Sequence, residues 1–70
     1  MMNILNEIEK IETTLAEKEI EHRHLFYFAD ISRQTWTNWK TGKSTPTIAT
    51  WNRIESAYNR LRYEAHTSDE

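Results

Sequence analysis

The chain has no cysteine, one glycine and one proline among its 70 residues. Without cysteine there are no disulfides and no thiolate metal sites, and the sequence carries no mark of redox compartment. A single glycine leaves no glycine-rich loop to cradle a phosphate. Long apolar runs are missing too. The longest, Leu25 to Ala29, has five residues, against the roughly 20 that a membrane-spanning helix needs. The N-terminus also lacks the basic segment followed by an apolar one that marks a secretory signal. These absences lead to the expectation of a soluble, cytoplasmic protein with no membrane association. The length allows one small domain whose core is near the lower limit for folding alone. Three Trp, three Tyr and two Phe must therefore supply much of the buried area, and a homodimer is a natural expectation.

Net charge is small and the charges are unevenly placed. The net charge is −2, but residues 1–21 carry six acids against Lys10 and Lys18, a balance of −4, and residues 22–62 carry seven bases against Asp30 and Glu55, a balance of +5. The remainder from Tyr63 adds Glu64, Asp69 and Glu70. Placement outweighs total charge for a polyanion partner, because only cations near phosphates displace counterions.

The most informative stretch runs from Asp30 to Pro46. Ser32 suits a helix N-cap, Trp36 and Trp39 fall three apart on one helical face, and Gly42 suits the closing position. The predicted helix runs from Arg33 to about Thr41. Its other face presents Arg33, Gln34, Thr37, Asn38 and Lys40, whose donors and acceptors suit base edges and phosphates.

The elements on either side follow from periodicity. Ile4, Leu5, Ile8, Ile11 and Leu15 form an apolar stripe with Asn3 as its cap, while Glu7, Glu9, Lys10, Glu12 and Lys18 are expected to face outward. A coiled coil is the weaker reading, since the pattern covers barely two heptads. No Gly, Pro, Asn or Ser interrupts Ala16 to Phe28, so one helix from Asn3 to Ala29 fits the periodicity. A helix that long would strand the aromatic cluster, so a turn is expected near Glu19 to Glu21 with Ile20 as its plug. Leu25, Phe28 and Ala29 would then face inward from a second helix. Asp30 to Ser32 reads as a turn over Ile31, and Asp tolerates the left-handed conformation better than most residues. Thr47 is the expected cap of a last helix with apolar positions Ile48, Trp51, Ile54, Tyr58, Leu61 and Ala65. One domain is expected over residues 1–66, with an acidic flexible tail at 67–70.

Catalysis finds no foothold. His22 and His24 are two apart on a helix and point in different directions, so with His66 they make no metal set. No nucleophile sits in an activating motif. The expectation is a non-enzyme with no metal and no cofactor.

From His22 to about Leu61 the chain resembles the Cro and phage-repressor type of helix-turn-helix domain. The match rests on Leu25, the Ile31-Ser32 pair, Thr35-Trp36 and Trp39, then Gly42 and Pro46 before a helix with Ile54. The resemblance implies an all-α, lambda-repressor-like bundle of four to five helices. It also implies a sequence-specific transcriptional regulator, of a family of small bacterial and phage proteins, acting as a dimer on a double-stranded operator. By the family pattern Arg33, Gln34, Thr37 and Asn38 reach base edges, and His22, Ser32, Lys40, Lys43 and Ser44 lie along the DNA backbone. Trp36, Trp39 and Trp51 are structural anchors. The chain departs from the pattern at three positions. Phe26 stands where a small residue is usual, which predicts a wider helix crossing or an outward-turned ring. Asp30 and Glu19 stand where glycines are usual. The rival expectation is a modulator or antirepressor on the same fold that grips a repressor or another protein partner instead of DNA.

Overall fold

Asn3 starts the first helix by local hydrogen bonding. Its Oδ1 accepts from the amides of Leu5 at 3.1 Å and Asn6 at 3.3 Å, and a cap of this kind contributes about 1 kcal/mol. A computed structural model describes residues 3–68, with side chains as far as residue 63. Four helices follow one another: α1 Ile4–Glu17, α2 His22–Ala29, α3 Arg33–Lys40 and α4 Ile48–Ser68. No strand occurs among the described residues, so the protein is all-α. α2 packs along α4, and α1 lies beside α3. No described helix is long and apolar enough to cross a membrane.

The first three helices end in the same way. At each end one residue turns left-handed: Glu19 at φ 58°, Asp30 at φ 60° and Gly42 at φ 81°. Its amide bonds the carbonyl three residues back, and the next amide bonds the carbonyl five back. The pairs are Glu19 to Ala16 and Ile20 to Leu15, Asp30 to Tyr27 and Ile31 to Phe26, Gly42 to Trp39 and Lys43 to Asn38, at 2.8 to 3.3 Å. This is the Schellman closure, which satisfies carbonyls the helix leaves open. The turn expected near Glu19 is therefore present, and Glu19 takes up the conformation a glycine would hold. The residue after the turn then decides where the chain goes. Ile20 and Ile31 pack against the core and fold the chain back onto it. Lys43 is exposed, and the chain leaves the core as a loop.

The core joins all four helices through Ile8, Ile11 and Leu15 of α1, Leu25, Phe26 and Ala29 of α2, Trp36 and Trp39 of α3, and Trp51, Ile54, Ala57 and Leu61 of α4. Four expectations need correction. Leu5 is 53% exposed, because it lies about 120° around the helix from Ile11 and about 90° from the centre of the stripe formed by Ile8, Ile11 and Leu15. Ile48 is 83% exposed: it lies about 120° around α4 from Ile54 and about 180° from Ala57, off the face that Trp51, Ile54, Ala57 and Leu61 bury. Phe28, expected to face inward, is only half-buried; of the two alternatives for Phe26 the outward-turned ring does not occur, since it is buried against Trp36, ring centroids 5.7 Å apart. Glu12 does not face solvent, as described below. Thr47 caps α4 as expected, its Oγ1 accepting from the Thr50 amide at 3.2 Å. α4 includes residues 67 and 68; residues 69 and 70 of the expected tail, and the side chain of Ala65, lie outside the described residues.

Candidate nucleic-acid interface

Local sequence builds α3 and burial aims it. Ser32 Oγ accepts from the Thr35 amide at 3.1 Å and shares a hydrogen bond with Thr35 Oγ1 at 3.0 Å. Ser32 Oγ is the acceptor in this cap, and where Thr35 donates in the shared bond the Ser32 O–H is left to donate outward. Trp36 and Trp39 sink into the core with centroids 5.9 Å apart, and Trp39 meets Trp51 edge-on at 6.2 Å. Burying two indoles on one side of an eight-residue helix fixes which way its other side faces.

That other side carries the residues expected to reach bases. Arg33, Gln34 and Thr37 are exposed and Asn38 is half-buried. Gln34 Nε2 donates to Asn38 Oδ1 at 2.9 Å, so two of the four are joined. The Arg33 guanidinium lies 5.6 Å from the Phe26 ring centroid, a favourable contact of a cation with an aromatic face. The Asn38 carbonyl accepts from the amides of Lys43 at 2.9 Å and Ser44 at 3.3 Å. The loop that presents these two exposed residues is therefore tied to the same turn of α3.

His22 and Lys40 are placed differently from that set. Both turn toward α1 and meet the Glu12 carboxylate. Oε2 of Glu12 accepts from Trp36 Nε1 at 2.9 Å and lies 3.1 Å from Lys40 Nζ and 3.5 Å from His22 Nε2. One oxygen thus links α1, α2 and α3. Burial raises the pKa of this carboxyl, but the bonds from Trp36 and Lys40, with the charges of Lys40 and His22, outweigh that and hold it below its ordinary value. Lys40 keeps 46% of its side chain exposed, so it is partly neutralised and still reachable.

Two cationic contributions were not visible from sequence. Arg53 Nε donates to the Ala29 carbonyl at 3.0 Å, tying α4 to the end of α2. The Arg60 guanidinium lies 4.3 Å from the Phe28 ring centroid. Nothing in their spacing marks either role, since both depend on how α2 crosses α4. Trp51 Nε1 is buried without an acceptor among the described residues. No three His, Asp or Glu side chains among the described residues gather where they could hold a cation.

Comparison with known proteins adds nothing to this geometry. No family model, no curated protein and no solved structure matches the chain.

Proposed function

We propose that this chain is a sequence-specific DNA-binding transcriptional regulator that lays α3 in the major groove of an operator. The observation that carries the reading is the division of α3 into two faces. Two tryptophans anchor one face, and the other offers Arg33, Gln34, Thr37 and Asn38 with Lys43 and Ser44 at its end. Arginine can bond guanine O6 and N7 through two donors, and glutamine can bond adenine N6 and N7. Lys43, and Lys40 in part, supply the phosphate contacts that carry affinity. The short connection from Asp30 to Ser32 between α2 and α3 suits a helix-turn-helix, in which the first helix braces the second.

A second reading is favoured by the Glu12 cluster. The carboxylate neutralises cations that DNA would otherwise meet, and Tyr27 stands 80% exposed on α2. Both suit a protein partner on the same fold. Fluorescence anisotropy of labelled duplex DNA at two salt concentrations separates the two. The expected result is binding that weakens steeply as salt rises. No salt-sensitive binding at tens of micromolar protein would overturn the DNA reading in favour of a protein partner.

A further inference from the structure

The hydrogen bond between Gln34 and Asn38 has a consequence for which base Gln34 can accept. We infer that Asn38 is a positioning residue that makes Gln34 selective for adenine over guanine. This inference rests on the reading of α3 as a DNA-reading helix. The two residues are four apart on the exposed side of α3, and Gln34 Nε2 donates to Asn38 Oδ1 at 2.9 Å. A primary amide has two N–H donors on one nitrogen and one acceptor oxygen. Spending one N–H on Asn38 leaves Gln34 with a single N–H and its Oε1.

That remaining pair matches adenine, which offers the N7 acceptor and the N6 amino donor in the major groove. Guanine offers two acceptors there, N7 and O6. To bond both, Gln34 would need its two N–H groups together, and one is already committed. Its Oε1 would also face an acceptor of like partial charge. Selectivity therefore comes from what Asn38 removes as well as from what Gln34 supplies. The bond also holds the long Gln34 side chain before any base arrives, which reduces the ordering that binding must impose. Asn38 is fixed in its turn. It is half-buried, and its carbonyl anchors the amides of Lys43 and Ser44, so the residue that orients Gln34 sits at the base of the loop.

The test is selection of bound duplexes from a random pool by the intact chain, followed by anisotropy on the selected duplex and its single-base variants. One position should require adenine, with guanine there costing about tenfold in affinity. Replacing that adenine by 7-deazaadenine, which lacks only the N7 acceptor, should cost a similar factor. Gln34→Ala should abolish both effects. Whatever affinity Asn38→Ala loses overall, it should bring adenine and guanine within about twofold at that position, because both N–H groups of Gln34 are then available. A uniform loss at all positions in Asn38→Ala, with the adenine-to-guanine ratio unchanged, would overturn the positioning role. Selection of duplexes with no adenine dependent on Gln34 would overturn the inference while leaving DNA binding intact. Failure to bind any duplex would overturn the DNA reading and this inference together.

Discussion

Two of the grips on α3, toward α4 and toward α1, differ in kind. Toward α4 the grip is apolar: Trp39 and Trp51 pack in an edge-to-face arrangement, and the Trp51 Nε1 has no acceptor among the described residues. Toward α1 it is polar: Trp36 donates to Glu12, and Lys40 and His22 gather on the same oxygen. An apolar grip is tolerant of small rotations, because buried area changes little with angle. A hydrogen bond to a half-buried carboxylate is directional and depends on ionisation. The polar contact on the α1 side therefore fixes the angle at which α3 faces outward, while the apolar contact toward α4 tolerates small changes in it.

Removing the apolar grip should have the largest effect. Trp39→Ala is expected to cost about 3–5 kcal/mol, measured by urea titration, which in a domain this small amounts to unfolding at ordinary temperature. A cost below about 1 kcal/mol would mean that α3 is held mainly from the other side.

Removing the polar grip comes next. Glu12→Ala leaves the Trp36 donor without its acceptor and is expected to cost about 1–3 kcal/mol. It should also change the pH dependence. The Glu12 carboxyl titrates below its ordinary value in the folded chain, so its contribution is present above the unfolded pKa and is lost as pH falls through the folded one. Stability of the parent chain should thus decline below the ordinary carboxylate range of about pH 4, and Glu12→Ala should flatten that decline. Urea midpoints collected from pH 7 downward check this, and parallel profiles would show that Glu12 contributes nothing to it.

A finer comparison sets the two indole N–H groups against each other. Trp36→Phe removes a donor with a charged acceptor, whereas Trp51→Phe removes a buried donor with none. Trp36→Phe is expected to cost more, by about 1 kcal/mol. Equal losses in parallel urea titrations would mean that the bond to Glu12 has no net worth.

The smallest expected effect tests the helix ends. Glu19→Gly relieves a left-handed residue with a side chain, and should stabilise by about 0.5 kcal/mol once the extra freedom of glycine in the unfolded chain is deducted. Asp30→Gly should gain less, since aspartate tolerates that conformation. Thermal melts of both variants give the order, and a larger gain at Asp30 would contradict it.

Much of this fold was legible in the sequence because its elements are punctuated locally. Asn3, Ser32 and Thr47 cap as their side chains suggest, and the tryptophan spacing gave the buried face of α3. Where expectations failed, the cause was helical phase or tertiary placement. Leu5 and Ile48 are apolar residues at helix starts that lie off the phase of the stripes their helices bury. Glu12 had a usable signal: it falls four after Ile8 and three before Leu15, inside the apolar stripe. A carboxylate in that phase calls for a partner, yet the sequence does not say that the partners are Trp36, Lys40 and His22. The exposed polar face of α3 was legible as a surface. The bond between Gln34 and Asn38 was not, because four-residue spacing permits such a bond without requiring it.

The central claim is that α3 reads bases while the loop after it grips the backbone. Anisotropy with Gln34→Ala and Lys43→Ala, on the selected duplex and on an unrelated one, tests this most directly. Gln34→Ala should lose affinity for the selected duplex alone, and Lys43→Ala should weaken both duplexes alike and lower the salt slope by about one unit. Matching effects of the two substitutions on both duplexes would contradict the claim, since α3 would then be one more charged surface and no reader of sequence.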